Sequence, residues 1–284
     1  MTTDLPTPRV DAQWLRAHLN APDVRVADAT WYLPTVDRDG AVEFAAGHIP
    51  GAVHFDFDAI ADKSSDLPHM LPTPEQFAEQ VGALGLGSDH AIIVYDTNGL
   101  FAAPRVWWML RAMGHERVAV LEGGLTGWQA AGGAIETGAA SPSPAIFTAR
   151  RRSDLIRSRR QMAANQTSHS EQVVDARAPG RFAGAEPEPR PGLRAGHIPG
   201  AINLPFSQVL DSQTARLRSA DAIRSAFAEA GVDLARPVTT SCGSGVSACI
   251  LALALASIGR DIVAVYDGSW TEWGGSDLPL ATGA

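Results

Sequence analysis

Cysteine is scarce: two stand in 284 residues, Cys242 and Cys249. A disulfide-stapled secreted domain needs more, and their separation fits neither a zinc knuckle nor a Cys-x-x-Cys redox pair. The eight histidines are scattered with no His-x-x-x-His, so no metal site is visible. Long apolar runs are missing as well. The longest mostly apolar stretch, residues 249–258, is too short to span a bilayer. Residues 1–10 hold Asp4, Arg9 and two prolines but no apolar run, which is not a signal-peptide pattern. Cations are outnumbered, Lys+Arg 23 against Asp+Glu 31 for a net charge of −8, which argues against nucleic acid as a partner. The only basic clusters, Arg150, Arg151, Arg152 and Arg157, Arg159, Arg160, read as a solvated linker and helix face. The expectation is a cytoplasmic protein with no nucleic-acid and no membrane partner.

What is present is an ordinary globular composition, 45% hydrophobic and 19% charged, at about twice the length of a single-core domain. The chain also repeats itself. GHIPG occurs at residues 47–51 and again at 196–200, within AAGHIPGAVHFDFD and RAGHIPGAINLPFS. Upstream, VRVADA at residues 24–29 answers EQVVDA at 171–176; downstream, VAVL at 118–121 answers VAVY at 263–266. Three blocks in one order at nearly one offset imply a duplicated domain. The expected division is residues 8–138, a linker at 139–152 rich in glycine and proline nearby, and residues 153–284. Within each copy short β-branched runs such as 91–95 and 237–240 alternate with helical stretches at 104–113, 220–230 and 246–258. That alternation implies an α/β fold, an open parallel sheet in each copy with helices on both faces. Working sites in such sheets lie at the C-terminal strand ends.

One loop there carries chemistry. Thr239, Thr240 and Ser241 end a strand, Cys242-Gly243-Ser244-Gly245-Val246-Ser247 follows, and a helix-forming run begins at Ala248. The glycines let the backbone fold tightly with N–H groups pointing inward. With the helix N-terminus they favour a thiolate, or an anionic group attached to the sulfur. Cys249, inside the apolar run, reads as core. Cysteine phosphatases need an arginine six residues after the nucleophile to clamp phosphate; here Ala248 stands there, which disfavours phosphatase chemistry. Sulfurtransferases are the other enzyme class that uses such a cysteine, and a small buried hydrophobe is the structural alternative.

The duplicated GHIPG blocks, with APRVWW at residues 103–108, PEPR at 187–190, CGSGVSA at 242–248 and YDGSWTEW at 266–273, resemble the two-domain rhodanese superfamily, and within it the mercaptopyruvate sulfurtransferase branch. The resemblance implies two tandem rhodanese-like domains, only the second catalytic. It implies Cys242 as nucleophile, Arg181 and Arg190 as clamps for the donor carboxylate, and Gly243, Gly245, Val246 and Ser247 around the donor and the carried sulfur. It also implies a proton relay of Ser244, His69 and Asp58, the latter two contributed by the N-terminal copy to a cleft between the domains. Ser247 stands where relatives often have threonine, and Phe101 where they often have tyrosine. The donor expectation has a charge argument of its own. Thiosulfate is a dianion and profits from cations in the loop, whereas Gly, Ser and Gly offer only backbone donors and one hydroxyl. A planar guanidinium farther out suits a carboxylate. No cofactor is expected, since a covalent cysteine persulfide carries the sulfur. A small-molecule sulfur donor and a thiol acceptor are the expected partners; thioredoxin, small thiols and cyanide are open as acceptors. A thiosulfate:cyanide sulfurtransferase and a non-enzymatic binding or redox-sensing module are the alternatives.

A constant offset of 145 residues at the end of each copy puts Thr97 opposite Cys242 in the loop 97–101. His48 and His197 read as structural, and Asp28 and Asp175 as caps for nearby backbone N–H groups.

Overall fold

A computed structural model describes residues 2–33, 35–97 and 99–283 of the chain. By contacts the chain divides into two units. The first comprises Met1–Lys63, Leu71–Arg152 and Thr214–Arg216, the second Ser64–Met70, Ser153–Gln213 and Leu217–Ala284. The short segment bearing His69 therefore belongs with the second unit.

In the first unit β1 (Arg9–Val10), β2 (Val24–Asp28), β3 (Val53–His54), β4 (Ala91–Tyr95) and β5 (Val118–Leu121) form a five-stranded sheet in the order β1-β5-β4-β2-β3. All its pairs are parallel. The second unit repeats this with β6 (Ile156–Arg157), β7 (Gln172–Asp175), β8 (Ile202–Asn203), β9 (Val238–Ser241) and β10 (Ala264–Tyr266), in the order β6-β10-β9-β7-β8. Parallel strands need crossover connections, which place helices over the sheet, so central strands read as continuous buried runs. Every residue of β4 and of β9 is buried. The helix Ala248–Ala256 is buried on all sides, as an all-apolar helix must be. Cys249 sits in it at 0% exposure, and its thiol donates to the Gly245 carbonyl at 3.2 Å.

The repeated GHIPG is a structural device. In the first unit the His48 Nδ1–H donates to the Phe44 carbonyl at 2.8 Å and the ring stacks on Phe44. In the second, His197 does the same to the Phe182 carbonyl at 2.9 Å and stacks on Phe182. The closing glycines, Gly51 and Gly200, have φ of 74° and 75°, a left-handed conformation that glycine adopts without the Cβ penalty.

Residues 139–152 run in irregular conformation against the first unit. Phe147 is buried and packs edge-on to Phe77, and the Arg150 and Arg152 amides donate to the Met113 and Ala112 carbonyls. Of the second basic cluster, Arg159 and Arg160 are exposed on the helix Arg159–Ser168. Arg157 is not on that helix face. It lies in β6, half-buried, bound to Glu171 at 2.6 Å.

Candidate functional site

The site begins where β9 ends. Cys242 follows Ser241 directly and is 2% exposed. The chain turns through Gly245, with φ of 80°, and enters the helix Ala248–Ala256. The turn brings the Gly245 N–H to 3.2 Å from Cys242 Sγ, to which it donates. Ser244 and Val246 are buried; Gly243 and Ser247 are half-buried.

A second segment, after β10, braces this loop. The Cys242 amide donates to Ser269 Oγ at 3.1 Å, and that hydroxyl donates to the Tyr266 carbonyl at 2.8 Å. The Trp270 amide donates to the Cys242 carbonyl at 2.9 Å. The Thr271 amide and hydroxyl both donate to the Gly243 carbonyl, at 2.8 and 2.7 Å. The Cys242 backbone is thus fixed on both its N–H and its C=O. Ser269 has a φ of 49°, uncommon for a residue with a side chain, and its buried hydroxyl serves the Cys242 amide.

Of the two arginines expected as clamps, Arg181 faces this loop and Arg190 contacts His69. Arg181 lies on the short helix Pro179–Ala183. Its Nη2 is 3.0 Å from the point a Cβ on Gly243 would occupy, so the guanidinium faces the loop backbone. The same nitrogen donates to Glu188 Oε2 at 2.5 Å. Arg190 Nη2 lies 3.3 Å from His69 Nε2. Arginine can only donate, so Nε2 accepts and the ring proton sits on Nδ1. His69 itself is buried, with φ of 64°. Among the described residues no hydrogen bond joins Ser244 to His69. Asp58 lies in the first unit, where Trp31 Nε1–H donates to its Oδ2 at 2.7 Å.

The first unit has an equivalent loop, and the sheet registers locate it. β2 and β4 align Asp28 with Tyr95, whereas β7 and β9 align Asp175 with Ser241. The next residue in each loop is therefore Asp96 in one and Cys242 in the other. Thr97, which a constant offset puts opposite Cys242, is one residue too far along. The following helices start at Ala103 and Ala248, so the first loop is one residue longer and the repeat offset changes inside it. Asn98 lies outside the described residues. The Asp96 carboxyl, 1% exposed, accepts from the N–H groups of Leu100, Phe101, Ala102 and Ala103 at 2.8–2.9 Å. Burial pushes its pKa above the usual carboxylate range, and the four donors work against that. The loop thus directs four backbone N–H groups at the Asp96 carboxyl in one unit and one, that of Gly245, at Cys242 Sγ in the other.

Residues 11–131 and 158–276 each match the Rhodanese-like domain. The chain belongs to the rhodanese-like family. The human 3-mercaptopyruvate sulfurtransferase is 46% identical to this rhodanese-like chain over 270 residues, covering 93% of it and 91% of the relative. The thiosulfate sulfurtransferase of Gallus gallus is 44% identical over 270 residues, covering 93% and 92%. Among solved structures, SseA of Escherichia coli, described with the 3-mercaptopyruvate sulfotransferases, matches with a TM-score of 0.85 at 40% identity, covering 93% of this chain and 99% of that one.

The sequence did not single out a third, buried arginine of the rhodanese-like unit, which shares Glu188 with Arg181. Arg177, its side chain 1% exposed, is held by Asp175 at 2.7 Å and by Glu188 at 2.7 Å, and lies over the Trp270 ring at 4.5 Å. Burial opposes its charge, but the two carboxylates outweigh that and hold its pKa above the usual arginine value. Asp175 does cap a local amide, Arg177 N–H at 2.9 Å, as Asp28 caps Thr30 N–H at 2.8 Å. Ser269 and Thr271 were also missed; the one available signal was their place right after β10. No helix among the described residues is long and apolar enough to cross a membrane.

Proposed function

We propose that this chain is a sulfurtransferase that moves sulfane sulfur from 3-mercaptopyruvate through a Cys242 persulfide to a thiol acceptor, releasing pyruvate. The observation that carries the reading is the setting of Cys242: a buried sulfur receiving a backbone N–H, in a loop without a cation of its own, with the Arg181 guanidinium facing that loop. The names of the human and Escherichia coli relatives support the same donor.

The chemistry runs in two halves. The Cys242 thiolate attacks the sulfur of the donor; the new S–S bond forms as the C–S bond breaks, and its electron pair leaves on the pyruvate enolate. A proton delivered to that carbon completes pyruvate. Arg181 and Arg190 hold the donor carboxylate, a task for which a planar fork of donors is suited. Ser244, His69 and Asp58 carry the proton, with Ser244 the group nearest the nucleophile in sequence. The N–H groups at Gly243, Gly245, Val246 and Ser247 hold the terminal sulfur. In the second half an acceptor thiolate attacks that sulfur, the S–S bond breaks, and the pair returns to Cys242. Small thiols, thioredoxin and cyanide are acceptors with the needed nucleophile. No cofactor is required, because sulfur itself is carried, and the two thiols are suited to a reducing, cytoplasmic setting.

Intact-mass measurement after incubation with 3-mercaptopyruvate tests this: wild type gains one sulfur atom and Cys242→Ser gains none. A wild-type mass that does not change would refute it. A second reading, thiosulfate as donor, is favoured by the names of the Gallus gallus relative and of two Arabidopsis thaliana relatives, and the cation-free loop counts against it.

A further inference from the structure

Glu188 has no part in the reaction above, yet its carboxylate is buried beside Arg181. Its side chain is 2% exposed and bridges two guanidinium groups, Arg177 Nη1 at 2.7 Å and Arg181 Nη2 at 2.5 Å. Arg177 already has a counter-ion: Asp175 receives its Nε at 3.1 Å on both oxygens and its Nη2 at 2.7 Å. The Glu188 charge is therefore set chiefly against Arg181. What Arg181 offers the loop is a cation whose charge is largely countered, with Nη2 facing Gly243 while its Nε is buried without a hydrogen-bond partner. Such a group can still direct a carboxylate by hydrogen bonds. It attracts a second negative charge poorly, because the dianion also meets the Glu188 carboxylate.

We infer that Glu188 sets the charge class of donor admitted to Cys242, favouring a monoanion over a dianion by countering Arg181. The inference rests on the sulfurtransferase reading for its kinetic consequence. Glu188 acts through Arg181 and does not touch the donor.

The test compares kcat/KM for thiosulfate and for 3-mercaptopyruvate in wild type, Glu188→Gln and Glu188→Asp. Removing one unit charge a few ångströms from a partly screened site should raise the thiosulfate-to-mercaptopyruvate ratio about tenfold in Glu188→Gln. Glu188→Asp keeps the charge and should leave the ratio within about twofold of wild type. If Glu188→Gln loses both activities in equal proportion, Glu188 is merely structural and the inference is overturned. A second arm needs no turnover: protection of Cys242 in wild type from iodoacetamide by methanesulfonate and by sulfate, ions of like shape and different charge. The inference predicts that methanesulfonate protects at least as well as sulfate. Sulfate protecting at about tenfold lower concentration, or no protection by either, overturns it. A wild type that turns over neither donor sinks the sulfurtransferase reading, and the protection arm, repeated on Glu188→Gln, then decides on Glu188: sulfate should gain on methanesulfonate in that variant, and an unchanged order overturns the inference.

Discussion

At the level of single residues, Cys242 is held by its own amide and carbonyl, through Ser269 and Trp270, so its position does not depend on a donor being bound. Gly243 is the most sensitive neighbour. A methyl group there would lie 3.0 Å from Arg181 Nη2 and would shift the guanidinium away from the loop. Gly243→Ala should therefore raise KM for 3-mercaptopyruvate and lower kcat/KM by about 10- to 100-fold, the scale of a misplacement near 1 Å. Circular dichroism should be unchanged, and unaltered kinetics would show that Arg181 is not a donor clamp. The relay makes a separate prediction. His69→Ala and Ser244→Ala should each slow turnover by ~10²–10⁴-fold, and rates within about twofold of wild type would remove them from the mechanism. The setting of Cys242 was legible in the sequence because a strand, a glycine loop and a helix bracket it. Arg177 and Glu188 were not, because nothing in a sequence distinguishes a buried arginine from a surface one until its carboxylates are placed.

Among the elements, the two loops after β4 and β9 are the instructive pair. Their sheets have the same strand order, and their flanking helices start one residue out of step with the strands. A fixed repeat offset reads across such an insertion without sensing it, which is why Thr97 rather than Asp96 was placed opposite Cys242. Asp96 satisfies four backbone N–H groups, and Asn would turn an NH2 toward some of them. Asp96→Asn should cost about 1–3 kcal/mol of stability, seen as a lower denaturant midpoint; an unchanged midpoint would show that the carboxyl is dispensable. His115 belongs to the same unit. It is 5% exposed, its Nε2–H donates to the Arg117 carbonyl at 3.1 Å, and burial lowers its pKa to about 4. Between that value and the ordinary 6.5 the unfolded chain binds the proton and the folded one does not. His115 therefore contributes stability that is full above pH 6.5 and is lost as pH falls toward 4. His115→Phe should flatten the stability profile across that window, while an identical slope in wild type and variant would assign the acid sensitivity elsewhere.

For the molecule as a whole, the duplication was the most legible feature, since GHIPG is a turn that each unit builds in the same way: a histidine on a phenylalanine ring and a left-handed closing glycine. Element boundaries followed less closely, the expected helix at 246–258 being Ala248–Ala256, because the first loop residues are committed to the turn around Cys242. The assignment of residues 64–70 to the second unit had no sequence signal, since a segment's contacts are set by tertiary packing and not by its position in the repeat. The central claim is that Cys242 takes sulfur from a monoanionic carbon-bound donor. It is tested most directly by measuring pyruvate and sulfide release from 3-mercaptopyruvate with a reducing thiol, beside thiocyanate formation from thiosulfate and cyanide, for wild type and Cys242→Ser. The account predicts a strong preference for 3-mercaptopyruvate that vanishes in Cys242→Ser. A preference for thiosulfate, or activity that survives the substitution, would contradict it.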